Sequence, residues 1–126
     1  MNRDRKYDLE DRLIEFSLEI ISIVEILPNA RVGNHIAGQL LRCGTSPAFN
    51  YGEAQVAESP DDFIHKMKVC LKELKETLVA LKIIRRKPLV RNLIIVDKAI
   101  TEVKELISIF VTSIKTARKN KVEKNT

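Results

Sequence analysis

Four polar residues recur at helical spacing in the middle of the chain, and they are the first candidates for chemistry. The sequence places them at offsets of four, four and three residues: Arg42, Ser46, Asn50 and Glu53. Such offsets put all four on one face of a helix. One interpretation is a ligand or nucleic-acid site. The preferred one is an internal structural network with a largely buried Arg42, paired first with Glu53 and next with Glu73 or Glu76, because buried charges need partners.

Basic residues gather near the ends of two predicted helices and are the candidates for contact with RNA or DNA. They form two clusters: Lys82, Arg85, Arg86, Lys87 and Arg91, then Lys115, Arg118 and Lys119. Cations at a helix C-terminus also complement the helix dipole, so solvated helix ends are the alternative interpretation. Aromatic residues make up only 5% of the chain. Nucleic-acid binding is therefore expected to follow the phosphate backbone and to tolerate changes of sequence.

The residue types that bind metals or act as nucleophiles lack the spacing that those roles require. His35, His65, Cys43 and Cys70 do not form the closely spaced pairs of a structural zinc site. The chain has no G-x-S-x-G motif, and the segment at 44–46 lacks the lysine of a phosphate-binding loop. We therefore expect a protein that is not an enzyme and binds neither a metal nor a cofactor.

The composition indicates one soluble domain. The chain has 126 residues, 44% hydrophobic and 31% charged, which suits a single domain spanning 1–126. Its formal net charge of +5 is compatible with an acidic partner. The first residues lack the apolar segment of a signal peptide, and no apolar run is long enough to span a membrane. We expect a cytoplasmic protein without membrane contact.

Apolar residues recur at spacings of three and four along most of the chain, which predicts four helices at about 8–28, 31–58, 60–87 and 90–119. Asp8 is the predicted N-cap of the first helix. Ser59 is the predicted N-cap of the third, with Pro60 in its first position and Asp62 completing a capping box. Short connections between four helices predict an all-α, antiparallel up-down-up-down bundle.

A glycine and a proline interrupt the second helix. Gly44 and Pro47 lie three residues apart, and a proline inside a helix removes a backbone donor and clashes with the preceding turn. The sequence therefore predicts a kink or a break at 44–47. In the alternative, Thr45 or Ser46 caps a restarted helix.

The second and fourth helices carry more small or apolar surface than one bundle needs. Small residues fill the second helix, whereas Leu106, Ile109 and Val111 lie beside the complete apolar seam of the fourth. A bundle buries one stripe from each helix, so the surplus predicts contact with another subunit. We assign one patch to the second helix and the other to the fourth.

A long central block resembles a known family. The stretch GNHIAGQLLRCGTSPAFNYGEAQVAESPDDFIHKMKVCLKELKETLVALKII is similar to the signature of the bacterial four-helix-bundle proteins encoded within 23S rRNA intervening sequences. The segments YDLEDRLIEFSLEII and ELISIFVTSIKTARKN also resemble that family. The resemblance implies an antiparallel bundle and a homo-oligomeric ring, commonly a pentamer. A related branch, the accessory variability determinant of diversity-generating retroelements, is a basic pentamer that works with a reverse transcriptase and nucleic acid.

Two functions follow from the residues and the resemblance together. The first is a non-enzymatic, ring-forming interaction protein whose partners are copies of itself and another protein. The alternative is a basic, sequence-tolerant nucleic-acid-binding accessory protein that acts with a nucleic-acid enzyme such as a reverse transcriptase. A salt titration of binding to RNA and DNA discriminates the two, because phosphate contacts weaken steeply with salt.

Overall fold

The computed structural model describes residues 8–124, and all regular secondary structure in this range is helical. The four helices are α1 (Leu9–Ile26), α2 (Arg31–Gln55), α3 (Pro60–Arg86) and α4 (Leu93–Lys124). Each helix packs on the next one in sequence, and α1 also contacts α4, which is the least extensive of the four contacts. The backbones of the diagonal pairs, α1 with α3 and α2 with α4, stay apart over the range that is described, so these helices meet only through core side chains. These are the contacts of a four-helix bundle.

The predicted N-caps of α1 and α3, Asp8 and Ser59, are confirmed. The Asp8 carboxylate accepts hydrogen bonds from the backbone N–H groups of Glu10 at 3.0 Å and Asp11 at 3.3 Å. The Ser59 hydroxyl accepts from the N–H of Asp62 at 3.1 Å. Asp8 and Ser59 thus satisfy backbone donors that a helix leaves unpaired at its N-terminus. The predicted capping box at Asp62 differs in its partner, because the Asp62 carboxylate accepts from the N–H of Glu58, one residue before the N-cap, at 3.2 Å.

The observed ends of the helices differ from the predicted ones by a few residues. α1 ends at Ile26, because Leu27 takes up the extended conformation that a following proline favours. α4 begins at Leu93 rather than near residue 90. At this start the Asn92 side chain accepts a hydrogen bond from the N–H of Ile95 at 3.4 Å. It also continues past residue 119, and an ion pair between Lys121 and Asp61 of α3 holds that last part.

The predicted break in α2 is wrong, because α2 is one continuous helix with Pro47 inside it, whereas the predicted kink at 44–47 stays a prediction. Pro47 is buried, and side chains donate to the carbonyls around it. The Thr45 hydroxyl donates to Leu41 O at 2.6 Å, the Asn50 amide to Ser46 O at 3.0 Å, and the Cys70 thiol of α3 to Pro47 O at 3.6 Å. The helix continues through this position although a proline in a helix interior costs about 3 kcal/mol.

The core takes residues from all four helices. Its largest fully buried side chains include Phe16, Ile20, Leu40, Leu74 and Phe110. Tyr51 of α2 meets Phe110 edge to face, with ring centroids 6.1 Å apart. No helix within residues 8–124 combines the length and the apolar character that crossing a membrane requires.

The prediction that Leu106 is surplus surface is wrong, because Leu106 is fully buried in the core. Ile109 and Val111 are half-buried. α4 contacts both α1 and α3, so the part of its circumference that is buried is wider than a single stripe of apolar residues. The fourth helix therefore offers less surplus apolar surface than its sequence indicates.

Candidate functional site

Arg42 lies at the outer edge of the α2–α3 contact and does not enter the core. Its side chain is 56% exposed, so the prediction of a buried Arg42 is wrong. It donates to Glu73 at 3.0 Å and to Glu76 at 3.3 Å, and its predicted first partner, Glu53, is bonded elsewhere. Both carboxylates raise the pKa of Arg42, Glu76 chiefly through its hydrogen bond and Glu73 through its charge.

The remaining members of the predicted network fall into two further contacts. The Asn50 amide donates to the Ser46 hydroxyl at 2.8 Å, within α2. Glu53 accepts from Lys66 of α3 at 3.1 Å, and Lys66 also lies 3.8 Å from Asp62. The four residues share a face of α2 but form three separate contacts. Two of these contacts join α2 to α3, and the third lies beside Pro47.

A shallow groove of about 490 Å³ runs beside Arg42 between α2 and α3. Its polar lining includes His35, Gln39 and Glu76, with Cys43 at its base. Burial raises the pKa of the Cys43 thiol, and it raises that of Cys70 to about 12. Because the thiolate is the nucleophilic form, both cysteines are protonated and unreactive near neutral pH. The groove thus offers hydrogen-bond donors to a ligand and no activated thiol.

His35, His65, Cys43 and Cys70 do not come together. Among the described residues, no group of three histidine, cysteine or acidic side chains is arranged to hold a metal ion. The two cysteines are free and buried, and the two histidines are exposed.

The first basic cluster lies where α3 ends and α4 begins. Arg85 is bonded to Asp97 of α4 at 2.7 Å, so its charge is already paired. Arg86, Lys87 and Arg91 are exposed and make no ion pair within the described part of the chain. Lys82 is half-buried and lines a groove of about 450 Å³ together with Arg86 and Lys87.

The second basic cluster lies near the end of α4, beside the start of α3. Lys115, Arg118 and Lys119 are exposed and have no ion-pair partner among residues 8–124. Arg118 lines a groove of about 500 Å³ with Asp61 and Lys68 of α3. The structure therefore keeps the two predicted clusters apart, one at each end of the α3–α4 pair.

An uncharged stripe follows the outer side of α2. It comprises residues at offsets of three and four and continues into the residue that directly follows the helix: Gly38, Leu41, Thr45, Phe49, Gly52 and Val56. Phe49 is 74% exposed and Val56 is 79% exposed. A Cβ atom added at Gly38 or Gly52 would meet no described atom within 4 Å, so no residue of the described range requires glycine there. The sequence indicated a small-residue face, but not that Phe49 lies on it, because phenylalanine usually packs in the core.

Comparisons with known proteins identify a structural neighbour. No family model matches this chain, and no curated protein matches it. A solved structure similar to it is that of a protein with unknown function from the S23 ribosomal protein family of Bacteroides thetaiotaomicron. The two are 29% identical with a TM-score of 0.77, over 84% of this chain and 97% of that one. The chain thus shares a four-helix fold with this member of the S23 ribosomal protein family, and the identity supports a distant relationship to it.

Proposed function

We propose that this chain is a non-enzymatic, self-associating interaction protein, related to the four-helix-bundle proteins of 23S rRNA intervening sequences. Its subunit is an antiparallel up-down-up-down bundle, its assembly is a ring, most simply of five copies, and it works in the cytoplasm. The observation that carries the proposal is the uncharged outer stripe of α2. The likeness to a member of the S23 ribosomal protein family supports the relationship.

The contacts between helices support the antiparallel arrangement. Arg85 near the end of α3 is paired with Asp97 near the start of α4, and Lys121 near the end of α4 with Asp61 near the start of α3. The ion pairs between α1 and α4 also support an antiparallel arrangement. Arg12 contacts Glu102, whereas Glu19, which is later in α1, contacts Lys98, which is earlier in α4. Neighbouring helices that cross-connect in this way run in opposite directions.

The outer stripe of α2 supports self-association because its glycines and exposed apolar side chains would lower the stability of a helix that faces water. Each interior glycine lowers helix stability by about 1 kcal/mol relative to alanine. A solvated outer face normally carries charged residues, but this stripe has none and exposes Phe49 and Val56. Glycines with open space beside them permit the close approach of another backbone, which a second subunit would supply.

Light scattering on the purified protein tests the proposal. A monomer has a mass of 14.4 kDa, and a ring of five has about 72 kDa. Phe49→Glu places a charge on the stripe and should shift the mass toward the monomer. The matched control is Ile94→Glu, because Ile94 is 81% exposed and lies on α4. A monomeric wild-type protein at micromolar concentration would contradict self-association, and a dimer would contradict only the ring.

A second candidate function is sequence-tolerant binding of nucleic acid, as an accessory to a nucleic-acid enzyme. The observation that favours it is that most cations of the two end clusters are exposed and have no ion-pair partner among residues 8–124. Binding should be micromolar or weaker and should fall steeply with salt. Reversing Arg86 and Lys87 together should weaken it evenly across RNA and DNA sequences. Full affinity at about 0.5 M salt would exclude this electrostatic mode.

A further inference from the structure

Three shallow grooves follow one another along the outer side of α3. The first, of about 500 Å³, lies between the start of α3 and the end of α4 and includes Lys68. The second, of about 470 Å³, is lined from Lys68 to Val79. The third, of about 450 Å³, is lined from Val79 to Lys87, the C-cap of α3. Because neighbouring grooves share a residue, they form one continuous depression, which we call the α3 track.

Cations line the α3 track along its whole length. α3 and its C-cap contribute six of them, at offsets of four, three, seven, four and one: Lys68, Lys72, Lys75, Lys82, Arg86 and Lys87. Arg118 and Lys121 of α4 add two more at the other end. The track therefore leads from the second basic cluster to the first, and the lysines in the middle of α3 join the two.

The positive charge of the α3 track is largely uncompensated. Its eight cations accompany only two carboxylates, Asp61 and Glu76, which leaves an excess of six positive charges. The whole chain has an excess of five, so the residues outside the track together carry one net negative charge. Asp61 pairs with Lys121, whereas Glu76 pairs with Arg42 and lies 3.8 Å from Lys72. The other six cations of the track form no ion pair with any described residue.

We propose that the α3 track binds the phosphate backbone of duplex nucleic acid. The separation from Lys68 to Lys87 corresponds to about 29 Å of helix. One strand of duplex DNA presents a phosphate about every 3.4 Å along the duplex axis, so about eight phosphates of each strand lie within this length. The inference rests on the second candidate function, for which it names the site and the form of nucleic acid. The track shares no residue with the outer stripe of α2, so the two surfaces can be tested separately.

The residues that line the α3 track favour a duplex over a single strand. None of them is aromatic, whereas proteins that bind single strands stack the exposed bases on aromatic side chains. In a duplex the bases stack on one another, and the phosphates are the groups that lysine and arginine can reach without reading the sequence. Binding along the track should therefore tolerate changes of sequence.

The lining also favours a nucleic acid over an acidic protein. A protein partner contributes most of its binding energy through a few clustered anchors that are buried in the interface. The exposed apolar side chains on the α3 track are Val79 and Ile83 near one end and Val122 near the other, so they offer no compact site for such an anchor. A linear polyanion satisfies an extended row of cations without an apolar anchor.

Fluorescence anisotropy with RNA and DNA duplexes of about 20 base pairs tests the inference. Lys68→Gln with Lys75→Gln removes two charges from the middle of the track. At about 50 mM salt it should raise Kd about ten-fold or more, and it should reduce the slope of log affinity against log salt by about two, since each phosphate contact contributes about 0.9. Lys68→Arg with Lys75→Arg keeps the charge and should bind as the wild type does. Arg31→Gln with Lys98→Gln is the control, because it removes two exposed charges outside the track and should leave the slope unchanged.

The outcomes separate this inference from its alternatives. Thermal unfolding followed by circular dichroism should give the same midpoint for all variants, which shows that the fold is intact. If the glutamine variant of the track binds like the control while reversal of Arg86 and Lys87 weakens binding, the end clusters bind separately and the inference is wrong. Equal or tighter binding of a single strand of the same length overturns the assignment to a duplex. Poly-glutamate that displaces the duplex at equal charge concentration assigns the track to an acidic protein instead. A wild type that binds no nucleic acid at about 50 mM salt refutes the second candidate function itself.

Discussion

The four glycines of α2 differ in what surrounds them. A Cβ atom at Gly33 would collide with the backbone carbonyl of Pro28, in the turn between α1 and α2. At Gly44 it would lie 2.7 Å from the Ile20 side chain, in the core. At Gly38 and Gly52 it would meet nothing within 4 Å. Two glycines are therefore required by packing inside the chain, and the other two are not.

Alanine substitutions should separate these two groups. Gly38→Ala should stabilise the fold by about 0.5–1 kcal/mol, the gain in helix propensity. Gly44→Ala should destabilise it by about 1–2 kcal/mol, because overpacking against Ile20 exceeds that gain. Gly33→Ala should cost the most, since a backbone carbonyl must move. Urea unfolding in the Phe49→Glu background measures the three without assembly. Equal stabilities for the alanines at 38 and 44 would contradict the packing argument.

The buried thiol of Cys70 should make stability fall at high pH. Burial raises its pKa from 9.0 to about 12, so between these values the unfolded chain loses a proton that the folded one keeps. Stability is therefore lost as pH rises above about 9, by up to about 1.4 kcal/mol per pH unit for this group. Cys70→Ala should show a shallower decline of unfolding free energy between pH 8 and pH 10.5, with both proteins kept reduced. Parallel curves would show that Cys70 does not contribute.

At the scale of the helices, Arg12 links α1 to α4 across their thin contact. Its guanidinium donates to Glu102 at 2.7 and 2.9 Å and to Glu105 at 2.7 Å. These bonds, chiefly the one to Glu102, raise the pKa of Arg12, so its charge is permanent. Paired two-atom bonding of this kind is stronger and more directional than an ordinary surface ion pair.

Arg12→Ala should destabilise the fold by about 1–2 kcal/mol, which is more than most surface ion pairs contribute. Arg12→Lys should recover only part of this, because an ammonium group cannot reproduce the forked geometry. The control is Lys98→Ala, which removes the more exposed pair between Lys98 and Glu19 at 3.6 Å. Thermal and urea unfolding measure all three. If Arg12→Ala is no worse than Lys98→Ala, Arg12 does not hold the α1–α4 contact.

The helices were largely predictable from the sequence, and their side-chain contacts were not. Periodicity and local capping residues such as Asp8 and Ser59 identify the helices, because both signals are short-range. The carbonyl of Pro47 accepts from the thiol of Cys70, which lies 23 residues away on another helix. The sequence pattern places Arg42 on α2, but the exposure of its side chain is set by how α2 is rotated against α3. The partners of Arg12 lie 90 and 93 residues away, beyond any local pattern.

At the scale of the whole molecule, the candidate surfaces divide by chemistry. The α2 stripe is uncharged, the outer side of α1 is acidic, and α3 and the end of α4 are basic. The sequence indicated the basic ends and the small-residue helix. It did not indicate that Lys68, Lys72 and Lys75 lie in one exposed row along the middle of α3. In the sequence, lysines that alternate with acidic residues are typical of an ordinary solvated helix face.

Self-association should make thermal stability depend on protein concentration. Only folded chains associate with one another, so association stabilises the folded state. The midpoint temperature of unfolding should therefore rise as the protein concentration is increased. Phe49→Glu should remove most of this dependence, whereas Ile94→Glu should preserve it. Calorimetry over a hundred-fold concentration range measures the effect. A wild-type midpoint that does not change over that range would argue for a monomer.

The thin contact between α1 and α4 has a consequence for the order of folding. The other three contacts join helices that are adjacent in sequence, so they close short loops and form early. The α1–α4 contact joins residues about 90 positions apart, and it can form only when the rest is in place. We therefore expect α2, α3 and α4 to assemble first and the far side of α1 to dock last. Loss of Arg12 should then accelerate unfolding and leave the folding rate nearly unchanged.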